Sequence, residues 1–231
     1  MLAGLRGAVT VGGIAAAIKL MKCFYEKQQS ALSLEKEKIN AELQMLKAQL
    51  HPHFLFNTLN NIYSLAQDGS ERASAMIVRL SAMLRYILYE ANKPLVPLDK
   101  ELQLISDYVQ LETLRYDQSL DLSINMPEHS SHFISPLLLL PFIENAFKHG
   151  ASGMLERPWI NLTIELNHDQ LIMKLVNGKD EQIRHPEGGI GIANVRKRLA
   201  LLYPQKHTLQ IDEEAEMFFV NLKIELNKVI N

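Results

Sequence analysis

The spacing of apolar residues changes once along this chain, and the change separates two kinds of structure. Up to about residue 116, apolar side chains recur three and four positions apart, as they do on one face of an amphipathic helix. Beyond that point five short stretches alternate between apolar and polar residues, which is the pattern of half-buried strands, and two helical stretches lie among them. We therefore expect an α+β chain, in which a helical first part is followed by helices on one face of a mixed or antiparallel sheet.

The chain begins with an apolar segment. Residues 7–18 carry no charge, but a helix that crosses a bilayer needs about 20 residues. Three interpretations stay open for residues 1–22: a marginal membrane span, the remnant of a larger membrane region, or an uncleaved signal-like segment. The lysines that follow this segment place the rest of the chain in the cytoplasm by the positive-inside rule.

Residues 23–50 have the pattern of a long helix that pairs with another helix. Apolar residues repeat every seven positions at Tyr25, Leu32, Ile39 and Leu46, with Leu43 and Leu50 in a second seam that Lys36 interrupts. A heptad repeat in a helix rich in Glu, Lys and Gln predicts a short parallel coiled coil and hence a homodimer. A solvated linker helix is the alternative.

A proline ends this helix and places a histidine at the start of the next one. Because Pro52 has no N–H for the helical ladder, the chain ends or kinks there and a new helix begins at His53. The new helix sets a polar stripe of His53, Asn57, Asn60 and Ser64 against an apolar side of Leu55, Leu59, Ile62 and Ala66. A neutral imidazole exposed on a rigid helix can accept a transferred group, and a plain surface histidine is the alternative.

Two more helices complete the first part. The turn Asp68–Ser70 leads into a second helix, and the resulting hairpin needs a partner hairpin, as in a four-helix bundle, to bury its apolar faces. At the start of a third helix, Leu98 is expected to form a hydrophobic staple and Asp99 to be the N-cap. We assign residues 51–116 to this helical region and residues 117–231 to the domain that contains the sheet.

Two segments of the second domain carry residues suited to a polyphosphate and its metal. A helix is predicted from Ser135 to Gly150. On it, Asn145, Lys148 and His149 share a face, and they offer an amide oxygen for Mg²⁺ and cationic donors for phosphate oxygens. A glycine-rich loop at residues 188–191 leads into another helix, where backbone N–H groups can approach an anion. An ordinary polar helix face is the alternative for the first segment, and the loop alone is weakly specific.

Three segments, in this order along the chain, resemble the motifs of LytS/YehU-type sensor histidine kinases. Residues 46–57, LKAQLHPHFLFN, resemble the H-box, in which the histidine before Phe-Leu-Phe-Asn is the phosphoacceptor, here His53. Residues 141–150, PFIENAFKHG, resemble the N-box. Residues 189–199, GIGIANVRKRL, resemble the second glycine box of the ATP lid. The resemblance implies that residues 117–231 fold as a Bergerat-type α/β sandwich of the gyrase, Hsp90, histidine kinase and MutL (GHKL) superfamily.

The resemblance implies that the N-box helix binds ATP together with Mg²⁺. In this family the N-box asparagine coordinates the metal, which assigns Mg²⁺ to Asn145. The lysine and histidine that follow approach the phosphates, which assigns Lys148 and His149 to that role. Glu144 is the candidate base if the domain activates a water molecule.

The resemblance also assigns residues to the lid and to adenine. Gly189, Gly191 and Asn194 belong to the lid box that closes over the nucleotide, and Asn177 with Gly178 stands at the adenine position. The superfamily usually has an aspartate where this chain has Asn177. An amide oxygen can accept the adenine hydrogen bond, but it does so without charge, so we expect a lower nucleotide affinity.

The activity implied by the resemblance is autophosphorylation of His53 from ATP, followed by transfer to an aspartate of a response regulator, typically one with a LytTR domain. His51 is the rival acceptor. The resemblance also implies a homodimer at the cytoplasmic membrane of a bacterium, attached through the N-terminal segment or through upstream helices. Two other functions compete: a catalytically degenerate dimeric scaffold, which Asn177 favours, and an ATPase that uses Glu144 as its base and forms no phosphohistidine.

Composition excludes several other classes of function. Because the net charge is −2, we expect no direct binding to nucleic acid, which usually requires a basic face. Cys23 is the single cysteine, so an intramolecular disulfide is excluded. Five further histidines lack convergent Cys or carboxylate spacing, and we expect them at the surface, without zinc: His129, His132, His168, His185 and His207.

Overall fold

The computed structural model describes residues 19–30, 32–34, 52–116, 119–151, 157–179, 190–214 and 216–228. Residues 19–30 and 32–34 are helical and belong to a unit of their own, in which Phe24, Tyr25 and Leu32 are exposed. The rest of the predicted coiled-coil helix and the apolar run before it lie outside the described residues, so the coiled coil and the membrane-proximal segment stay predictions. No helix in the described ranges is long and apolar enough to span a bilayer.

Two helices joined by a short turn form the predicted hairpin. Helix α1 spans Pro52–Gln67 and helix α2 spans Arg72–Arg85. A turn of π-helix, Tyr86–Glu90, continues α2. Gly69 in the connecting turn has a φ of 65°, a left-handed conformation that glycine adopts without the strain of a side chain. This conformation explains why the sequence pattern Asp-Gly-Ser marks the turn correctly.

The hairpin has two apolar faces. Its inner face is buried or half-buried and comprises Phe54, Thr58 and Ile62 of α1 with Ala73, Leu80 and Met83 of α2. Its outer face is exposed and comprises Phe56, Leu59 and Tyr63 of α1 with Ile77, Leu84 and Leu88 of α2 and the turn after it. The prediction of one apolar side on α1 was therefore wrong, because Ile62 is buried whereas Leu59 is 47% exposed.

Helix α3, Leu98–Thr113, packs against both the hairpin and the sheet-containing domain. Side chains are buried around most of its circumference, including three acidic ones: Glu101, Asp107 and Glu112. Arg79 of α2 forms an ion pair with Asp107 at 3.0 Å. Because buried charges require partners, this helix is fixed by polar contacts as well as by apolar packing.

The start of α3 differs from the prediction. The helix begins at Leu98 with Pro97 as its N-cap, and no side-chain hydrogen bond caps it, so the predicted cap at Asp99 was wrong. Val96 and Pro97 form a short strand that pairs with another strand, and this pairing fixes the entry of the chain into the helix. Asp99 lies inside the first turn, where its negative charge suits the positive end of the helix dipole.

The second part of the chain contains two sheets. The smaller sheet has the order β1–β3–β8, formed by Val96–Pro97, His132–Ile134 and Asn227–Lys228. The larger sheet has the order β2–β4–β5–β7–β6, formed by Asp121–Asn125, Trp159–Asn167, Gln170–Gly178, Met217–Glu225 and His207–Glu213. Strands β2 and β4 are parallel and the other neighbours are antiparallel, so the sheet is mixed, as predicted.

One face of the larger sheet forms the core. Its central strands bury alternate residues: Ile160, Leu162 and Ile164 of β4, Leu171, Met173 and Leu175 of β5, and Val220, Leu222 and Ile224 of β7. Helices α4, Leu140–Asn145, and α5, Ile190–Leu202, contribute buried residues to the same core. The core is continuous with the inner face of the hairpin. The predicted α+β arrangement, with helices on one face of the sheet, is confirmed.

Candidate functional site

Helix α4 begins later than predicted, because side chains of other helices hold the backbone in front of it. The sequence pattern places its start at Ser135, whereas the helix starts at Leu140. Glu101 of α3 accepts hydrogen bonds from the amides of residues 137–139 at 3.0 to 3.3 Å. Leu137 has a φ of 55°, a left-handed conformation that a helix cannot contain.

Helix α5 and the residue after it hold the same segment through different groups. The guanidinium of Arg198 donates to the carbonyls of Pro136 and Leu137, both at 2.6 Å. The hydroxyl of Tyr203 accepts a hydrogen bond from the amide of Ser135 at 2.8 Å. Burial lowers the pKa of Arg198, and the nearby charge of Glu101 raises it in opposition. We call Glu101, Arg198 and Tyr203 the clamp.

The clamp connects directly to the hairpin. The hydroxyl of Tyr86, in the π turn after α2, donates to Glu101 at 2.5 Å. Burial raises the pKa of Tyr86, so its hydroxyl keeps the proton that it donates. Burial also raises the pKa of Glu101, whereas the hydrogen bonds from Tyr86 and the backbone amides lower it. Sequence analysis missed these residues, although a glutamate and an arginine inside apolar helical stripes were a visible signal.

At its other end, helix α4 passes into a turn of π-helix, Ala146–Ala151. The predicted shared face of Asn145, Lys148 and His149 assumed α-helical spacing, which a π turn does not have because it contains more residues per turn. Asn145 and His149 are half-buried and Lys148 is exposed. Within the described ranges no hydrogen bond engages the side chain of Asn145, so its amide oxygen is available to a cation.

The end of the π turn lies against the end of strand β5. Asn177 is 2% exposed, and its Nδ2 donates to the carbonyl of Gly178 at 2.8 Å. Its Oδ1 is buried and accepts no hydrogen bond from the part of the chain that the structure describes. A Cβ atom added to Gly150 would lie 2.5 Å from Nδ2 of Asn177, so a larger residue does not fit there. Sequence analysis did not include Gly150 among the site residues, although its position next to His149 was the signal.

A second acidic group lies beside Glu144 in the interior. Burial and, to a smaller extent, the negative charge of Glu112 raise the pKa of Glu144 to about 7 against the opposing effect of Lys148. Glu112 is itself ion-paired with Arg115 at 2.9 Å. Glu144 therefore changes its protonation state near neutral pH, which is a property of many groups that act as acids or bases.

Helix α5 carries two of the predicted lid residues. Gly191 is exposed and Asn194 is half-buried near the start of the helix, while Gly189 lies outside the described residues. Helical spacing predicts buried positions at Ile192, Val195, Leu199 and Leu202; the first three are buried and Leu202 is half-buried. Gly178, predicted with Asn177 at the adenine position, is buried at the end of β5.

His53 is the second residue of helix α1. The placement of its side chain lies outside what the structure describes, as does His51, so the predicted polar stripe is described from Asn57 onwards. Asn60 and Ser64 are exposed, in agreement with that prediction, and Asn57 is half-buried.

The predicted surface position was wrong for His132. Its ring is buried, with Nδ1 hydrogen-bonded to Ser130 and Nε2 to Asp169, each at 3.1 Å. These bonds tie the segment before β3 to the turn between β4 and β5. Among the described residues, no group of three or more His, Cys, Asp or Glu side chains is arranged to hold a metal ion.

Comparison with known proteins supports the resemblance noted from the motifs. Residues 41–120, which include the hairpin, match the family described as histidine kinase. The sensor protein LytS of Oceanobacillus iheyensis is 30% identical over 203 residues, covering 80% of this chain and 35% of LytS. The sensor histidine kinase BtsS of Escherichia coli K12 is 28% identical over 197 residues, covering 84% of this chain and 34% of BtsS. The chain is therefore similar to LytS/YehU-type sensor histidine kinases over most of its length, and residues 41–120 match the histidine kinase family.

The chain spans about a third of the length of the curated relatives LytS and BtsS. Among solved structures, the histidine kinase AdeS of Acinetobacter baumannii shares 16% identity, covers 86% of this chain and 98% of its own, and has a TM-score of 0.44. The mixed sheet with α4 and α5 on one face has the arrangement that the resemblance to GHKL kinases implies.

Proposed function

We propose that this chain transfers the γ-phosphoryl group of ATP to His53 and then to an aspartate of a response regulator, typically one of the LytTR type. The observation that supports this proposal most strongly is the contact between Gly150 and Asn177. It brings the N-box and the end of β5 together, although they are far apart in sequence. At that contact lies a buried acceptor, Oδ1 of Asn177, that the described residues leave open.

Asn177 can recognise adenine with its amide oxygen. Because the carbonyl of Gly178 accepts from Nδ2, the amide is oriented with Oδ1 as the open acceptor, which suits the amino group of adenine. Burial strengthens such a bond, since water does not compete for it. This orientation compensates in part for the missing charge of the usual aspartate.

The polyphosphate would be held at the π turn. Asn145 would coordinate Mg²⁺ through its amide oxygen, and Lys148 and His149 would bind phosphate oxygens. The metal, when bound, neutralises charge on the transferring group. Gly189, Gly191 and Asn194 would close over the phosphates from the start of α5.

His53 would receive the phosphoryl group at a ring nitrogen. A P–N bond forms as the bond to the ADP oxygen breaks, and the phosphoryl group later passes to a carboxylate oxygen of the regulator. Because this chemistry depends mostly on positioning and charge stabilisation, the elements that align His53 with the nucleotide matter more than an adjacent base.

The outer face of the hairpin supports a homodimer. It is a continuous exposed apolar stripe, and a second hairpin would cover it in a four-helix bundle. Residues 1–22 would lie at the cytoplasmic membrane, with the rest of the chain in the cytoplasm.

The direct test is incubation of the purified chain with Mg²⁺ and ATP labelled at the γ-phosphate. We expect acid-labile, base-stable label on the wild type, no label on His53→Gln, and label on the matched variant His51→Gln. Absence of label on the wild type at any ATP concentration contradicts the proposal and supports a scaffold. Phosphate release that continues in His53→Gln but stops in Glu144→Gln supports an ATPase instead.

A further inference from the structure

We infer that phosphoryl transfer to His53 occurs within one protomer, and that Tyr108 is the positioning residue that seats the start of helix α1 on its own nucleotide-binding segment. The inference rests on the proposed function and addresses a question that the motifs leave open, namely whether the acceptor histidine is phosphorylated by its own chain or by the partner.

Three aromatic rings join the acceptor helix to the N-box. Phe54, which follows His53, contacts Tyr108 of α3 with ring centroids 4.8 Å apart. Tyr108 also contacts Phe147, with ring centroids 5.9 Å apart in an edge-to-face arrangement. Aromatic pairs at these separations contribute beyond the area that they bury, and their geometry is specific. One ring therefore lies between the residue next to His53 and the N-box.

The far end of this aromatic path lies in the proposed phosphate-binding turn. Phe147 belongs to the π turn and immediately precedes Lys148 and His149. Tyr116 supports it, with ring centroids 6.1 Å apart and with its hydroxyl donating to the carbonyl of Phe147 at 3.4 Å. The rings of Tyr108 on α3 and of Tyr116 just after it therefore hold the turn. Tyr108 also holds the acceptor helix through Phe54.

Burial of the path makes it part of the fold. Tyr108 is 3% exposed and Phe147 is 1% exposed, and both belong to the core shared by the hairpin and the sheet. An ion pair between Arg79 and Asp107 fixes α2 to α3 one residue from Tyr108. Both helices of the hairpin are therefore attached to their own α3.

The two faces of the hairpin separate intrachain contacts from dimer contacts. The inner face, including Phe54 and Ile62, packs on the chain itself, and the outer face, including Phe56 and Tyr63, is exposed. A partner hairpin on the outer face would leave the inner face in place. Dimerisation does not require α1 to leave its own nucleotide-binding segment, and this geometry favours transfer within the protomer.

Mixed dimers with two distinguishable tags provide the test. In one mixture, a His53→Gln chain is paired with an Asn145→Ala chain, and we expect no label because neither chain has both groups. In the other, a wild-type chain is paired with a chain that carries both substitutions, and we expect label on the wild-type chain. The reverse pattern, label in the first mixture and none in the second, overturns the inference. If wild-type homodimers take up no label, the proposed function fails instead.

Substitutions of Tyr108 test its positioning role separately. We expect Tyr108→Leu to reduce the initial rate of labelling at saturating ATP at least tenfold, because His53 is then no longer aligned with the bound nucleotide. Tyr108→Phe retains the ring and is expected to restore the rate to within about twofold of the wild type. A labelling rate in Tyr108→Leu equal to that of the wild type, or equal losses in both variants, contradicts the role of the ring. If Tyr108→Leu does not fold, Phe54→Leu tests the same contact from α1.

Discussion

The two ends of helix α4 are built in opposite ways. In front of its start, the buried clamp of Glu101, Arg198 and Tyr203 bonds the backbone of residues 135–139. At its end, Asn145 and Oδ1 of Asn177 have no hydrogen-bond partner among the described residues. A bonded segment keeps one conformation, whereas open polar atoms keep their bonding capacity for a ligand. The start of the helix is thus a structural support, and its end is the proposed binding site.

The largest effect is expected from breaking the support. Glu101→Gln replaces one carboxylate oxygen by an amide NH₂ group, so a donor faces N–H donors that now have an acceptor. The substitution also removes the negative charge that faces Arg198. We expect the free energy of unfolding to fall by about 3 kcal/mol, because the remaining buried donors and guanidinium lose their partner. Denaturant unfolding without nucleotide measures this loss.

The same chemical change at a carboxylate nearer the surface is the control for that prediction. Glu90 is half-buried and pairs with the exposed side chains of Lys93 and Lys100, each at 2.8 Å. We expect Glu90→Gln to leave the unfolding curve nearly unchanged. Equal losses in both variants would show that the clamp is no more important than a surface ion pair.

Glu144 lies within helix α4, between these two ends, and it makes the stability of the folded chain depend on pH. Its folded pKa of about 7 lies above 4.5, the ordinary value for a glutamate, so the folded state binds the proton more tightly than the unfolded state and loses stability as pH rises toward 7. In Glu144→Gln this loss is absent. We expect the stability of the variant relative to the wild type to increase by on the order of 2 kcal/mol between pH 5 and pH 8. A difference that stays constant over this range contradicts the raised pKa.

At the binding end, Asn177→Ala removes the open acceptor. We expect the affinity for ATP to fall about tenfold, which corresponds to about 1.4 kcal/mol, because one buried hydrogen bond is lost. Inosine triphosphate has a carbonyl in place of the adenine amino group, so the preference of the wild type for ATP over this nucleotide should disappear in the variant. Titration calorimetry with both nucleotides measures the change, and a retained preference contradicts the assignment of Asn177 to adenine.

The smallest expected effect tests the contact between the two segments of the site. In Gly150→Ala the new methyl group displaces the Asn177 side chain, and we expect about a fivefold loss of ATP affinity, or about 1 kcal/mol. In an Asn177→Gly background, which also lacks the Cβ atom that would lie 2.9 Å from the new methyl group, the substitution should cause little further loss. Additive losses in the double variant mean that Gly150 acts independently of Asn177.

Local patterns were sufficient to predict much of the fold and the elements that carry the candidate site residues. Alternation predicts strands at residues 159–166 and 171–177, within one residue of β4 and β5 at each end, and the Asp-Gly-Ser turn located the hairpin. The apolar positions predicted on α5 are buried at Ile192, Val195 and Leu199, which recur at helical spacing. These features depend on residues that are close in sequence, which periodicity can detect.

Features that depend on distant partners were missed. The late start of α4 is set by Glu101 and Arg198, which lie more than thirty residues away on either side. The inner and outer faces of α1 could not be told apart, since both are apolar and only packing on α3 distinguishes them. The π turn that contains Lys148 was missed for a similar reason, because no local spacing specifies it.

The most direct test of the central claim is to locate the phosphoryl group after incubation with ATP and Mg²⁺. Peptides prepared at alkaline pH, where phosphohistidine is stable, can be sequenced by mass spectrometry. We predict a phosphoryl group on His53 of the wild type and none anywhere in His53→Gln. A phosphoryl group on His51 with His53 unmodified, or an unmodified chain that nevertheless binds ATP, would contradict the proposal.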